Sequence, residues 1–290
     1  CIIQTDLGVG QGGDVPRRAG INSTTAWTLE SGGSSANAAV AAACGILEAG
    51  IANYVVCVCG ANTISRQYLV GGNAATISTP GSIGLFAASP LGAFPGRVYL
   101  EKYNRTREDF YWVAQRWREY AIKRPDAQMR RPFDMDTYMN SRWIVEPLCL
   151  FDCCLTSDGG AAVIVTTAER AKALKKPPVW IKGIGFGHGL QKWREDKMWE
   201  ELPVEPAKEA AFNSAGITVK DVDTAQFYDA FTPLPLLQME QYGFCGAGEA
   251  GEYLKAGKGT QEGGETPMNT SGTELSWGYL QGYSHMVESV

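Results

Sequence analysis

The chain has 290 residues, 44% of them hydrophobic and 20% charged, and a formal net charge of -5. That is room for two ordinary domains or one duplicated fold, with the composition of a soluble globular protein. The acidic balance leaves no basic footprint for nucleic acid, and no apolar run approaches the ~18 residues of a membrane helix. The opening CIIQTDLGVG lacks the charged start, apolar run and cleavage site of a secretory signal. It reads as a strand already under way, and SHMVESV as a running helix, so the natural protein is expected to extend beyond both ends.

Eight cysteines are present, most in apolar contexts such as VVCVCG and LCLFDCCL. In such strands they read as buried free thiols. No CxxC pair has zinc spacing, and a reducing cytoplasm fits this usage.

In chain order, SGGSS (31–35) leads into NAAVAAACGILEAG, an alanine-rich helix suited to close packing, with Gly50 as its stop. ANYVVCVCGAN follows as a strand buried on both faces. Residues 61–100 are rich in Gly, Ala, Ser and Pro and read as a long functional loop. Phe110, Val113, Trp117, Tyr120 and Ala121 recur at helical spacing, so 106–124 is an amphipathic helix ended by Pro125. A short helix is expected over 134–146, a buried strand at 158–167, a helix in AERAKALKK, and a strand at 177–187 after a double-proline break. The second part continues with a helix at 206–217 ended by Gly216, a strand at 223–231 running into a turn, and a helix at 234–244. A loop-rich stretch (249–274) and a final helix beginning in LSWGYLQGYSHMVESV complete it. The repeated order suggests an internal duplication.

Several stretches carry a family resemblance. Residues 130–174, RRPFDMDTYMNSRWIVEPLCLFDCCLTSDGGAAVIVTTAERAKAL, look like the middle of the sterol-carrier-protein-type thiolases. Residues 225–257, AQFYDAFTPLPLLQMEQYGFCGAGEAGEYLKAG, look like their C-terminal half. NTSGTELSWGYLQGYSH stands where such thiolases have an asparagine-proline-serine-glycine-glycine loop followed by glycine-histidine-proline-leucine-glycine. SGGSSANAAVAAACGILEAGIANYVVCVCG matches their nucleophile loop, helix and strand. The resemblance implies a five-layer α/β/α/β/α thiolase-type fold from two related halves, 1–176 and 177–290, with an insertion at about 61–148. It also implies a homodimer, paired through an edge strand expected at ANYVVCVCG.

The departures from the family pattern concern its chemistry. Counting back from Gly50, the nucleophilic cysteine falls at Gly33, plus or minus one residue, and neither Gly32 nor Ser34 is a cysteine. The family histidine before aspartate is Tyr228, and that of the glycine-histidine-proline loop is Tyr279. This combination resembles the lipid-transfer-type aldolases of steroid side-chain breakdown, which use tyrosines and work with an OB-fold partner of the DUF35 family. A glycine cannot accept an acyl group. A glycine-rich turn at a helix N-terminus instead presents N–H donors suited to a thioester enolate.

The implied activity is retro-aldol cleavage of a β-hydroxyacyl-CoA, with CoA present only as part of the substrate and no metal or further cofactor. Tyr279 is the expected base and Tyr228 the donor near the thioester, their hydroxyls facing a common cavity near Gly33; the reverse assignment stays open. Gly33, Ser34, Asp229, Gly282 and His285 are the expected oxyanion and substrate-binding residues, Asp229 by orienting the turn beside Tyr228. With twelve tyrosines in the chain, an arbitrary one is a structural aromatic. The position of these two within the resemblance singles them out.

Other features carry less. His285 is as well read as a capping histidine, His188 as a turn residue, and Cys245 as structural. GVGQGG does not follow a complete strand and open a helix, so it is no dinucleotide fingerprint. Arg130 and Arg131, or Lys192 and Arg194, are candidates for CoA phosphates. Two alternatives stand beside the aldolase: an unconventional thiolase, for which Cys44 is the nearest cysteine, and a non-catalytic acyl-CoA-binding subunit.

Overall fold

The computed structural model describes residues 1–7, 14–65, 88–188 and 202–290. They fall into two compact units. The first comprises Cys1–Tyr68, Thr156–Ile181 and Gly278–Val290, the second Leu69–Leu155 and Lys182–Trp277.

A four-stranded sheet organises the first unit, in the order Ala26–Leu29, Ile2–Leu7, Tyr54–Asn62, Asp158–Thr166. The first two pairings are parallel and the last is antiparallel. On the sheet lies the helix Ser35–Glu48, which buries Ala36, Ala39, Val40, Ala43 and Ile46 against Ile3, Val55, Cys57 and Cys59. The alanines bring the helix close enough for the Cys57 thiol to reach the Ala39 carbonyl at 3.5 Å. The chain leaves this helix through Gly50 in the left-handed region, as its position predicted.

One expectation is corrected here. The strand Tyr54–Asn62 is paired on both sides, so it is not an edge, and no dimer can form through it. The edges among the described strands are Ala26–Leu29 and Asp158–Thr166. An apolar run is equally suited to the middle of a sheet, where both ladders are filled. The strand at 158–167 is also less buried than expected, with Ile164 67% exposed.

The second unit is built on the helix Glu108–Ile122, whose Phe110, Val113, Trp117 and Ala121 are fully buried at the predicted spacing. Around it pack the helices Ser89–Lys102, Pro233–Tyr242 and Ala250–Lys255. The first of these approaches Phe231 closely at Gly92, where a Cβ would lie 2.3 Å from the Phe231 ring. The helix Val204–Ala215 ends at Gly216 as expected.

Several local expectations give way. The helix at 134–146 shrinks to Met135–Met139, because Trp143–Val145 turns into a hairpin with Leu148–Cys149. The loop-rich 249–274 contains the helix Ala250–Lys255, and the 61–100 loop contains much of Ser89–Lys102; residues 66–87 lie outside the described residues. The final helix is confined to Tyr283–Glu288, because a π-helical turn at Thr273–Trp277 and the positive φ of Gln281 and Gly282 interrupt it.

Neither 177–187 nor 223–231 forms a ladder strand. The first runs extended along Val204–Ala215 on its glycines 183, 185 and 187, leaving Ile184 and Phe186 exposed. The second carries only isolated bridges, Ala225 to Met268 and Phe231 to Cys153.

Candidate active site

In the first unit, Gly32–Ser34 forms a 3-10 turn that feeds directly into the helix Ser35–Glu48. Serines shape the turn. The Ser35 hydroxyl donates to the Gly32 carbonyl at 2.7 Å and accepts from the Ser31 N–H at 2.9 Å. Ser34 is exposed, and its hydroxyl donates back to the Ser31 carbonyl at 2.8 Å. The helix dipole and the N–H groups of its first turn favour negative charge at this end.

The 278–285 segment comes against this turn. Gly282, at φ +85°, sits so close that a Cβ there would lie 3.0 Å from the Gly33 carbonyl oxygen and 3.5 Å from Ala36. Only glycine combines that φ with that approach. Tyr279 is buried, and its N–H donates to the Ser157 hydroxyl at 2.8 Å. Ser157 is tied to Thr63, whose hydroxyl donates to the Ser157 carbonyl at 2.8 Å. The first unit thus sets Gly282 against the Gly33 turn, with Tyr279 three residues earlier in the same segment. His285 is buried in the helix Tyr283–Glu288, with Nδ1 3.4 Å from the Ser284 hydroxyl.

Tyr228 and Asp229 belong to the second unit. Tyr228 is half-buried on a segment held by backbone bonds at Ala225 and Ala230 and by side chains between them. The Tyr228 carbonyl accepts from Gln238 Nε2 at 2.8 Å. Asp229 is fully buried and accepts from the Thr273 hydroxyl and from the N–H groups of Glu274 and Leu275, at 3.1 and 3.4 Å. It therefore caps the turn Thr273–Trp277 from the residue that follows Tyr228. Downstream, Thr232 donates its hydroxyl to the buried Asp152 at 2.8 Å. Asp152 also accepts from Tyr138 at 2.7 Å, and burial raises its carboxyl above the ordinary range. The same turn is anchored from the other side by Arg118, a buried guanidinium that burial pushes down to about 10 and that donates to the Ser276 hydroxyl at 2.9 Å.

The turn Gly32–Ser34 itself carries no cysteine. Cys44 lies within the helix Ser35–Glu48, and burial, reinforced by Glu48, raises its thiol. Burial pushes Cys57, Cys153 and Cys245 up to about 12. Among the described residues no cluster of His, Cys, Asp and Glu is arranged to hold a metal ion, and no helix is long and apolar enough to cross a membrane.

Residues 187–290 match the thiolase C-terminal domain-like family. Over 275 residues the chain is 35% identical to a steroid side-chain-cleaving aldolase of Thermomonospora curvata, covering 89% of this chain and 70% of that one. The chain belongs to the thiolase superfamily. Its branch is the one that resembles the sterol-carrier thiolases and includes the steroid side-chain aldolases. A 17-hydroxy-3-oxo-4-pregnene-20-carboxyl-CoA lyase of Mycobacterium tuberculosis is 33% identical over 293 residues, 95% of this chain and 76% of that one. The solved structure described as an Ltp2-ChsH2(DUF35) aldolase superposes with a TM-score of 0.89 at 32% identity, over 99% of this chain and 77% of that one. The fold is accordingly the thiolase-type α/β architecture expected from the sequence.

Within this thiolase-like frame, the sequence expectation names Gly33, Tyr228, Asp229, Tyr279 and Gly282 but not Ser157, Thr63, Asn269 and Gln238, which hold the tyrosine segments. Asn269 had a signal, since it opens the NTSGTE loop where the family has asparagine. Ser157 had none. Of the phosphate candidates, Arg130 and Arg131 are exposed, and Lys192 and Arg194 lie outside the described residues.

Proposed function

We propose that this chain is a CoA-thioester retro-aldolase that cleaves a β-hydroxyacyl-CoA bearing a steroid side chain. The observation that carries the reading is a cysteine-free Gly32–Ser34 turn opening onto the helix Ser35–Glu48, in a chain similar over most of its length to a named aldolase and a named carboxyl-CoA lyase. A thiolase scaffold without its thiolate keeps the means to stabilise an enolate and loses the means to carry an acyl group.

In the proposed reaction Tyr279 takes the proton of the β-hydroxyl. The bond between the α and β carbons breaks, the β carbon becomes a carbonyl, and the electron pair passes into the thioester enolate. The Tyr228 hydroxyl and the N–H groups at the Gly33 turn stabilise the enolate oxygen, and protonation at the α carbon releases the shorter acyl-CoA. No oxidation state changes overall, so CoA enters only as part of the substrate. A phenol has a reference pKa of about 10, so the tyrosine that acts as base needs its proton held loosely by its surroundings, whereas the donor needs no perturbation. The roles of Ser34, Gly282 and His285 are proposed as shaping the substrate site around that turn. We further propose an OB-fold DUF35-type partner, supported by the DUF35 component named in the similar aldolase structure, and, as a separate proposal, a homodimer acting in the cytoplasm.

Incubation with 17-hydroxy-3-oxo-4-pregnene-20-carboxyl-CoA, followed by mass spectrometry, tests the reading. The expected products are a ring ketone and a shorter acyl-CoA, formed without added CoA. Cleavage that requires free CoA would instead assign a thiolase, and binding without turnover a non-catalytic subunit.

A further inference from the structure

We propose that Asn269 is a positioning residue for Tyr228, acting with Gln238 as a side-chain substitute for the missing sheet neighbour. The inference rests on the catalytic role proposed for Tyr228. Among the described residues the segment 223–231 has no continuous ladder, only isolated bridges at Ala225 and Phe231. Between those bridges its backbone needs other partners, because buried peptide groups are costly to leave unpaired.

Asn269 supplies them on one side of Tyr228. Its Oδ1 accepts from the Phe227 N–H at 2.7 Å, and its Nδ2 donates to the Phe227 carbonyl at 2.8 Å. A carboxamide paired this way reproduces the donor and acceptor of a neighbouring strand residue. The pairing is fixed from behind. Asn269 is fully buried, its own N–H donates to the Ala225 carbonyl at 3.0 Å, and its carbonyl accepts from the Gly272 N–H at 2.9 Å. Its φ of +48° is in the left-handed region, which asparagine tolerates better than most residues.

The third bond of Asn269 links it to the other side of Tyr228. Nδ2 also donates to the Thr273 hydroxyl at 3.0 Å, and that hydroxyl donates to Asp229. Asn269 and Asp229 therefore grip the residues before and after Tyr228 through one shared threonine, while Gln238 holds the Tyr228 carbonyl itself. With three consecutive residues pinned, the Cα–Cβ direction of Tyr228 is set by the 269–273 loop and the helix Pro233–Tyr242. A phenol aimed at a developing charge loses much of its effect when displaced by about an ångström, on the order of 10²-fold in rate.

The test is a double-mutant cycle on the purified protein, reading kcat, KM and circular dichroism for Asn269→Ala, Gln238→Met and Tyr228→Phe, alone and combined. Asn269→Ala and Gln238→Met should each lower kcat at least about tenfold with KM nearly unchanged, and should add little once Tyr228 is phenylalanine. Losses that multiply with Tyr228→Phe, or wild-type kcat in both variants, would overturn the proposal. If Asn269→Ala does not fold, Gln238→Met decides, since it removes one donor from a half-buried side chain of similar shape. Wild-type turnover by Tyr228→Phe alone would refute the role of Tyr228 and this inference with it. Multiplicative losses beside an impaired Tyr228→Phe would refute the positioning role alone.

Discussion

The N–H of Tyr279 donates to the hydroxyl of Ser157 at 2.8 Å, across 122 residues of sequence. Ser157 stands just ahead of the strand Asp158–Thr166, and Thr63, just past the strand Tyr54–Asn62, holds its backbone. The loop carrying Tyr279 is thereby fastened to the ends of two paired strands. Removing the hydroxyl in Ser157→Ala deletes one buried neutral hydrogen bond, about 1 kcal/mol of stability. It should also lower kcat about tenfold by loosening the proposed base. Urea midpoints and steady-state kinetics check both. An unchanged kcat would show that the hydroxyl does not position Tyr279.

Asp229 is the most heavily bonded acceptor beside Tyr228, with three donors from Thr273, Glu274 and Leu275. Asp229→Ala leaves these buried donors unmatched, a loss of about 2–3 kcal/mol. The urea midpoint should fall accordingly. A midpoint matching the wild type would contradict the capping role.

Alkylation separates the aldolase from the thiolase reading. Cys57, Cys153 and Cys245 sit at about 12, so their thiolate fraction at pH 7.5 is on the order of 10⁻⁴ or less. Cys44, raised by burial, is likewise protonated at neutral pH. Native protein treated with iodoacetamide at pH 7.5 should keep its cleavage activity. Rapid inactivation, protected by acyl-CoA, would point to a thiolate nucleophile.

Asp158 gives a pH signature in the first unit. The Ser65 hydroxyl, with the Ser65 and Ile64 N–H groups, holds its carboxyl below the ordinary value of 3.8. The folded value lies below the unfolded one, so the stability this carboxylate contributes is complete above about pH 5 and is lost as pH falls through the folded value. Asp158→Asn should therefore differ from wild type by a constant amount at neutral pH, and the gap should narrow as pH falls below about 4. Thermal scans from pH 3 to 7 would reveal it; a gap that widens in acid would contradict it.

The helix Ser35–Glu48 was readable because alanines, a preceding glycine-serine turn and Gly50 all point to one structure, and Glu108–Ile122 because its apolar spacing is regular. The segments 177–187 and 223–231 were misread as strands. An extended apolar pattern looks the same whether its hydrogen bonds go to a strand, to side chains such as Asn269, or to nothing regular. For the same reason Tyr54–Asn62 was mistaken for an edge, since its neighbours come from residues 2–7 and 158–166. At the site, Gly33 and the two tyrosines are named by register against family motifs. Ser157 is not, because its partner lies 122 residues away and no local pattern announces it; Asn269 is marked only by its place in the family-like loop, and its partner Phe227 lies 42 residues away.

The central claim is tyrosine-dependent aldol cleavage on a thiolase scaffold without its nucleophile. Its most direct test is the turnover of a β-hydroxyacyl-CoA by wild type, Tyr279→Phe and Tyr228→Phe, in the presence of a DUF35-type partner and with both products quantified by mass spectrometry. Wild type should give a carbonyl product and a shorter acyl-CoA in equal amounts, and each variant should lose about 10²–10⁴-fold in rate with acyl-CoA binding retained. Wild-type turnover in both variants, or products that appear only when free CoA is added, would contradict it.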